Sequence, residues 1–442
     1  MSLALRRDGS SRFGSENRWG NFPSVSAGWV FSDESFMQNL NFLSFGKLRS
    51  SFGVIGNNNI GNYTQYALVD NSLNAVFGNT IASGAGLTSL GNSQLGWERT
   101  KQFDIGLDIR FFNDRLEFIY DYYKKNTTDL LFNVAIPQES GFSDFNDNVG
   151  EIEFWGHEFG LISRNIAKEN FTWTSNFNIA FNRNKVVTLA EGVDRIFTPG
   201  GAYTSITRPG EPLGQFWGLI WDGVYDNQQE FDSSPKAVES EVGTIKFADT
   251  NGDGIITFGN ENDDRTVIGN PFPDYIFGFT NDFKFNNWDA SIVMSGSVGN
   301  DIAVTSDQGS TNLDGVFNVL KNVKDRWRSP ENPGSGRYGK TTSATFMERD
   351  WFSSRFIEDG SYLTIRNITL GYSFGLKESS FLKNARLYGS VQNAFIFTKY
   401  RGSNPEVSTT TQGQQASALA LGYDWGTYPV PRTITLGFNL SF

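Results

Sequence analysis

Apolar and polar positions alternate in long runs along this chain. In residues 103–111, Phe103, Ile105, Leu107, Ile109 and Phe111 occupy one face, and Asp104, Gly106, Asp108 and Arg110 the other. That is the period-two signature of a half-apolar β-strand. Asn113 and Asp114 follow, residues that tolerate positive φ in a tight hairpin turn. Leu116, Phe118, Tyr120 and Tyr122 then resume the alternation. Trp173, Ser175, Phe177, Ile179 and Phe181 repeat it against Thr174, Asn176, Asn178 and Asn182. Runs over 275–285 and 288–298 flank Asn286 and Asn287, another run covers 388–398, and Ile434, Leu436, Phe438, Leu440 and Phe442 end the chain. Around Ile365 and Ile368 the alternation slips by one, which predicts a β-bulge.

The spacing between these runs is ordered. Short links fall near 33–43, 113–114, 165–170, 286–287 and 375–384. Long links rich in Gly, Asn and Ser fall near 9–23, 56–96, 126–154, 185–273, 299–360 and 399–431. Short and long alternate throughout, as in outer-membrane barrels with tight periplasmic turns and long outer loops. A soluble sandwich or propeller, the competing architecture, has no reason to sort loop length by parity. The runs also approach the 9–11 residues of a membrane strand, against about 5–6 in soluble sheets. The fold predicted is an all-β, antiparallel transmembrane β-barrel segment of about twelve strands, with the terminal strands as unpaired edges. Phe103, Ile105, Leu107, Ile109 and Phe111 are expected to face lipid, and Asp104, Asp108 and Arg110 a wet lumen.

Composition narrows the function. The 442 residues include 40 Phe, 15 Tyr and 11 Trp but no Cys and one His. Without Cys there are no disulfides, thiolate metal sites or cysteine nucleophiles. With His157 as the single imidazole, nucleophile–base hydrolysis has little to draw on. The balance of 37 basic against 48 acidic residues, −11 overall, argues against nucleic acid as a partner. The first residues, Met1 to Arg7, carry no secretory signal pattern. They read as the end of a strand, so the chain is expected to begin inside a domain.

Several segments then resemble one family. They are Leu5 to Gly14 (LRRDGSSRFG), Trp19 to Trp29 (WGNFPSVSAGW), Leu48 to Asn57 (LRSSFGVIGN), Asp249 to Gly254 (DTNGDG), Arg265 to Pro271 (RTVIGNP), Arg355 to Leu363 (RFIEDGSYL), Asn367 to Tyr372 (NITLGY) and Gln392 to Phe395 (QNAF). In this order they are similar to the SusC/RagA-type TonB-dependent outer-membrane transporters of Bacteroidetes. The resemblance implies a 22-stranded barrel filled by an N-terminal plug, a SusD-like surface lipoprotein over it, and energy from TonB with ExbB and ExbD. It also implies import of an oligosaccharide or, in some members, a peptide. This chain would supply the C-terminal half of such a barrel (residues 1–442), with the long outer loop 185–273 and without the plug and N-terminal strands. A soluble carbohydrate-binding β-sheet module without transport is the alternative.

Three groups are candidate sites. Asp249, Asn251 and Asp253, followed by Gly254, match the first half of a calcium loop, with the Ile255 carbonyl as a further ligand. The regular closing position is Asn260, so Asp263 or Asp264 must supply the last carboxylate beyond Asn260, Glu261 and Asn262. Structural Ca²⁺ is weighed there against a metal-free acidic turn. Trp217, Trp221 and Tyr225 are candidate substrate contacts, because sugars stack on aromatic faces, with packing inside the 185–273 excursion as the competing expectation. Phe438, Leu440 and Phe442 at the C-terminus resemble the signal recognised by the barrel-assembly machinery.

Overall fold

Alternation becomes structure as a twelve-stranded antiparallel sheet in the computed structural model of the chain. The structure describes residues 1–135, 138–142, 144–200, 203–259, 263–313, 318–341, 345–375, 381–407 and 419–442. The strands are β1 (Ser2–Gly9), β2 (Trp19–Val30), β3 (Leu43–Asn57), β4 (Glu98–Phe111), β5 (Leu116–Thr128) and β6 (Glu151–Lys168). They continue with β7 (Phe171–Thr188), β8 (Tyr275–Phe285), β9 (Trp288–Val298), β10 (Tyr362–Phe374), β11 (Asn384–Thr398) and β12 (Thr433–Ser441). Neighbours in sequence are neighbours in the sheet, from β1 at one end of the order to β12 at the other.

The tight turns have local causes. Phe112, Asn113 and Asp114 all take left-handed φ between β4 and β5, and Asn286 does so between β8 and β9. The bulge expected near Ile365 lies where the β10–β11 register shifts between Ile365 and Asn367. The facing strand β9 shifts between Val293 and Met294. From β3 onward the links alternate long and short as the sequence reading has them, but the first pair departs from it, because the β1–β2 link (10–18) is shorter than the β2–β3 link (31–42).

Register fixes the faces. Leu48 lies opposite Leu107, and Leu107 opposite Tyr120. Arg49 lies opposite Gly106, and Gly106 opposite Asp121. One face is therefore aliphatic and aromatic, the other charged and hydroxylic. The apolar face continues farther along through Phe177, Phe279 and Met294, while the opposite face carries Asn176, Thr280 and Ser295 with one aliphatic residue, Val293, among them.

The chain divides into two compact units. The first comprises 1–162, 182–195 and 208–211. Its core sits at the long-loop ends, where Phe13, Phe22, Leu95 and Trp97 are buried together. Two small hairpins, Val69–Phe77 with Thr80–Leu87 and Leu131–Ala135 with Asp144–Asn148, belong to its long excursions. Asn148 clips one excursion to the next, accepting from Gly96 N at 2.7 Å and donating to Gly96 O at 3.0 Å.

The second unit comprises 163–181, 196–207 and 212–442. Its long excursions were expected as links, but they fold into a cap with cores of their own. A four-stranded sheet joins Ile196–Gly200, Tyr203–Thr207, Gln215–Gly218 and Thr266–Gly269. In a second sheet, Asp301–Val304 pairs antiparallel with Ile357–Asp359 and parallel with Tyr423–Asp424. One core gathers Tyr203, Phe216, Ala303, Phe352, Phe356 and Tyr423 from three separate excursions. The other joins Leu219, Val224, Ile245 and Phe247 to Trp327 and Met347.

Candidate functional site

The charged face of the sheet is a built polar surface. In the first unit, Arg49 on β3 grips two carboxylates. Its Nε and Nη2 reach Asp108 at 3.0 Å, and its Nη1 and Nη2 reach Asp121 at 2.7 and 2.8 Å. Such forked guanidinium–carboxylate contacts are strong and directional. Beside them Asp104 accepts from Ser51 Oγ at 3.1 Å and Gln102 Nε2 at 2.8 Å. A groove of about 610 Å³ runs past Arg6, Asp8, Ser24, Ser51 and Asp104. In the second unit Arg386 holds Asp289, and Arg366 holds Glu406 at 2.7 Å while donating to Ser295 Oγ at 2.7 Å. This face offers paired charges and hydroxyls, suited to a hydrated passage. His157 lies on the opposite, apolar face, where Nδ1 meets Tyr120 Oη at 3.0 Å and Tyr122 packs at 5.0 Å.

Inside the cap, Arg355 and Glu348 form a buried pair, 4% and 5% exposed, with Arg355 Nη1 at 3.2 Å from the carboxylate. Arg355 also donates to Glu348 O at 3.0 Å, and its guanidinium lies over Phe356 at 4.6 Å. Burial pushes the Glu348 carboxyl up and Arg355 pulls it back, leaving it above the ordinary value. Asp424 is a second hub, accepting from Thr427 N at 2.7 Å, Gly426 N at 2.9 Å and the Tyr400 hydroxyl. Burial raises its carboxyl, but these donors outweigh it and hold it below the usual range. Sequence reasoning singled out none of Arg49, Arg355 and Asp424 as sites. The signal was present in part: Arg49 and Arg355 both sit inside the motifs that carry the family resemblance.

The aromatic trio does not form one platform. Tyr225 is 1% exposed, donates to Pro235 O at 2.6 Å and packs on Phe231, so no ring face is open to a ligand. Trp221 packs against the Leu219 core, donates to Gly223 O at 3.0 Å and lies under the Arg337 guanidinium. Trp217 sits on the four-stranded sheet beside Phe197, ring centroids 6.2 Å apart. Packing accounts for what these three rings do in the structure.

The acidic turn is shaped by its own hydrogen bonds. Asp249 accepts from Gly252 N at 2.6 Å and Gly254 N at 2.9 Å, with both glycines at positive φ. Those donors, Gly254 first, hold its carboxyl below the usual range. Asn251 accepts from Asp253 N, and Asp253 from Ile255 N, at 2.9 and 2.8 Å. Asp264 is fully buried, taking Thr250 N at 2.9 Å and Thr257 N at 2.8 Å, whereas Asp263 is committed to Arg265 at 2.6 Å. Asn260, Glu261 and Asn262 lie outside the described residues. Among the described residues, no group of three or more His, Asp or Glu side chains is placed to hold a metal ion. At the C-terminus, Phe438 and Phe442 are exposed on the apolar face, Leu440 less so, and Phe442 touches Phe381.

An apolar-outside, polar-inside antiparallel sheet with parity-sorted loops defines a transmembrane β-barrel segment. Residues 1–394 match the family described as TonB dependent receptor-like, beta-barrel, and the chain belongs to that family. It is similar to TonB-dependent receptor P3 of Formosa agariphila, 36% identical over the whole of this chain and 44% of that protein. It is also similar to TonB-dependent receptor SusC of Bacteroides thetaiotaomicron, 32% identical over the whole chain and 42% of that protein. Among solved structures, the RagAB peptide transporter matches with a TM-score of 0.83 at 25% identity, covering the whole chain and 45% of that structure's chain. The chain thus spans somewhat under half the length of the curated relatives it matches.

Proposed function

We propose that this chain is the C-terminal barrel portion of an outer-membrane, TonB-dependent importer of a nutrient. The substrate class proposed is an oligosaccharide, with a peptide as the alternative. The observation that carries the reading is the division of the sheet into an exposed apolar face and a face of paired charges such as Arg49 with Asp108 and Asp121. Family membership supports the outer membrane as the location and transport rather than catalysis as the activity. Likeness to SusC and to RagAB supports a SusD-like lipoprotein over the cap and coupling to TonB, ExbB and ExbD. The likeness also weighs against a soluble carbohydrate-binding module. The test uses cells expressing the intact protein, offered labelled oligosaccharides and labelled peptides. Uptake that is lost on deleting the protein, and equally on inactivating TonB, is expected. Uptake indifferent to TonB, or an intact protein that is soluble without detergent, overturns the proposal.

A structural Ca²⁺ on the 249–264 turn is a second, smaller proposal. Its support is the hard oxygen set of Asp249, Asn251 and Asp253 on a backbone already bent by Gly252 and Gly254. Two acids and one amide in an exposed loop predict weak binding, about 10⁻⁴–10⁻³ M, with Mg²⁺ competing poorly. Calorimetry on the intact protein should show Ca²⁺-dependent heat that Asp253→Ala removes. No heat leaves the turn to its own hydrogen bonds.

A further inference from the structure

The guanidiniums on the wet face of the sheet are not all held alike. Arg49 is paired with Asp108 and Asp121, Arg110 with Glu117, and Arg386 with Asp289, and in each case the acid stands on another strand of the sheet. Arg366 is different. Its carboxylate partner, Glu406 at 2.7 Å, belongs to the outer excursion that follows β11. A strand cannot withdraw its acid without breaking its ladder, whereas an excursion can.

A local distortion puts Arg366 in place. Val293 on β9 pairs with Asn367 and Met294 with Ile365, so Arg366 is the extra residue of the bulge. Bulges re-aim side chains and recur beside functional sites. Here the bulge adds a cation to the wet face beside Asn367, while Ile365 and Ile368 keep to the apolar one. The barrel wall fixes that cation on one side, through Ser295 Oγ at 2.7 Å, with Tyr362 nearby. Arg366 lies four residues from the long-loop end of β10, about 10 Å inside the mouth at a strand tilt of about 40°.

Glu406 reaches it by side chain alone. Its backbone N–H donates to Asn404 Oδ1 at 2.9 Å, and the next residue, Val407, packs on Ile302, Val304 and Tyr400. Arg401 ties the same segment to Asp307 at 3.2 Å and to Glu358. The segment therefore stays seated on the cap whether or not the carboxylate touches the wall. The side chains of Arg366 and Glu406 are 32% and 24% exposed, which leaves room for another carboxylate to approach. Exchanging one carboxylate for another keeps the charge-assisted hydrogen bonds. Such an exchange is close to balanced, as binding in a passage must be if the cargo is to leave again.

We propose that Arg366 is a substrate-binding residue for a carboxylate, and that Glu406 occupies it as a stand-in while no substrate is bound. The inference rests on the importer reading above and deepens it. The cargo carries a carboxylate, either the uronate groups of an acidic oligosaccharide or the carboxyl group of a peptide.

The test uses the intact protein purified in detergent, with phenylglyoxal as the guanidinium reagent and peptide mass mapping as the readout. Glu406→Gln should speed modification of Arg366 about fivefold, the scale of one half-exposed ion pair, and leave Arg386 at its wild-type rate. Millimolar trigalacturonate or trialanine should slow Arg366 again, and their carboxyl-blocked counterparts, the methyl ester and the amide, should not. Protection by the uronate assigns an oligosaccharide cargo, and protection by trialanine a peptide. The wild-type protein should show the same protection from a slower starting rate, so the test survives a variant that misfolds. An Arg366 rate unchanged in Glu406→Gln, protection by neither acid, or equal protection by the blocked forms overturns the proposal. TonB-dependent uptake by cells carrying the same proteins keeps the two readings apart. Unprotected Arg366 in a protein that imports normally refutes this inference alone, whereas uptake indifferent to TonB refutes the importer reading.

Discussion

Leu436 and Phe352 are both large apolar side chains in the second unit, yet one is 82% exposed on β12 and the other fully buried in the cap. The spanning sheet turns its apolar residues outward and pairs its charges inward. The cap does the reverse, with Tyr203, Phe216, Phe352 and Tyr423 sealed from water. A single hydrophobicity scale applies to both regions, and the solvent each meets decides the sign. In lipid the sheet's side chains need only an apolar surround, while its backbone must be fully paired. In the cap, shape complementarity carries the stability, as in a soluble domain.

Four perturbations separate the two regimes. The largest effect is expected from Glu348→Ala, which strands the Arg355 guanidinium in the cap and should cost about 3–5 kcal/mol locally. Hydrogen exchange should rise across 301–359 while the barrel keeps its heat-modifiable migration. Loss of both together would mean that cap and sheet are one cooperative unit. Next, the same truncation made in each region should differ. Leu219→Ala opens a cavity in the cap and should cost about 2–5 kcal/mol. Leu107→Ala forfeits only lipid transfer, about 1–2 kcal/mol, because lipid fills the space. Urea titrations of vesicle-inserted protein measure both, and equal costs would break the comparison.

A charge should discriminate in the opposite sense. Leu107→Arg should cost about 2–4 kcal/mol where the strand crosses mid-bilayer, whereas arginine at Asp104, on the wet face, should fold and insert. Insertion yields of the two variants decide it. The smallest effect is acid loosening of the cap. Asp424 and Asp249 have depressed carboxyls when folded. Their stabilisation is therefore present above the unfolded carboxylate value, near pH 4, and is lost as pH falls through the lower folded value. Exchange of the Thr427 and Gly254 amides should accelerate below about pH 4, with the strand ladders unchanged.

The sheet was readable because one variable, the parity of a position, encodes which solvent it meets. Strand order, turn positions and the bulge at Arg366 all followed from that variable. The cap was not readable, because Tyr203, Phe216, Phe352 and Tyr423 come from distant excursions and share no period. The Trp217, Trp221 and Tyr225 run looks like a binding strip only while its neighbours are unknown. Once Pro235, Phe231 and Arg337 are placed around it, Trp221 and Tyr225 have partners of another kind. The Asp249 turn was legible as a shape, since Gly252 and Gly254 announce positive φ. What the shape holds depends on which lone pairs the backbone already occupies, and sequence does not record that.

The shared core of the cap bears on how such proteins diversify. Residues near 203–216, 303–356 and 420–423 must meet for any of them to be buried. An exchange of one outer excursion between relatives would then break contacts with the other two. Recombination that respects this has to move the three segments as a set, with the strands between them free to differ. New specificity in this half of the barrel would accordingly arise by inheritance of whole caps, or by point changes on their outer surface, rather than by shuffling single loops.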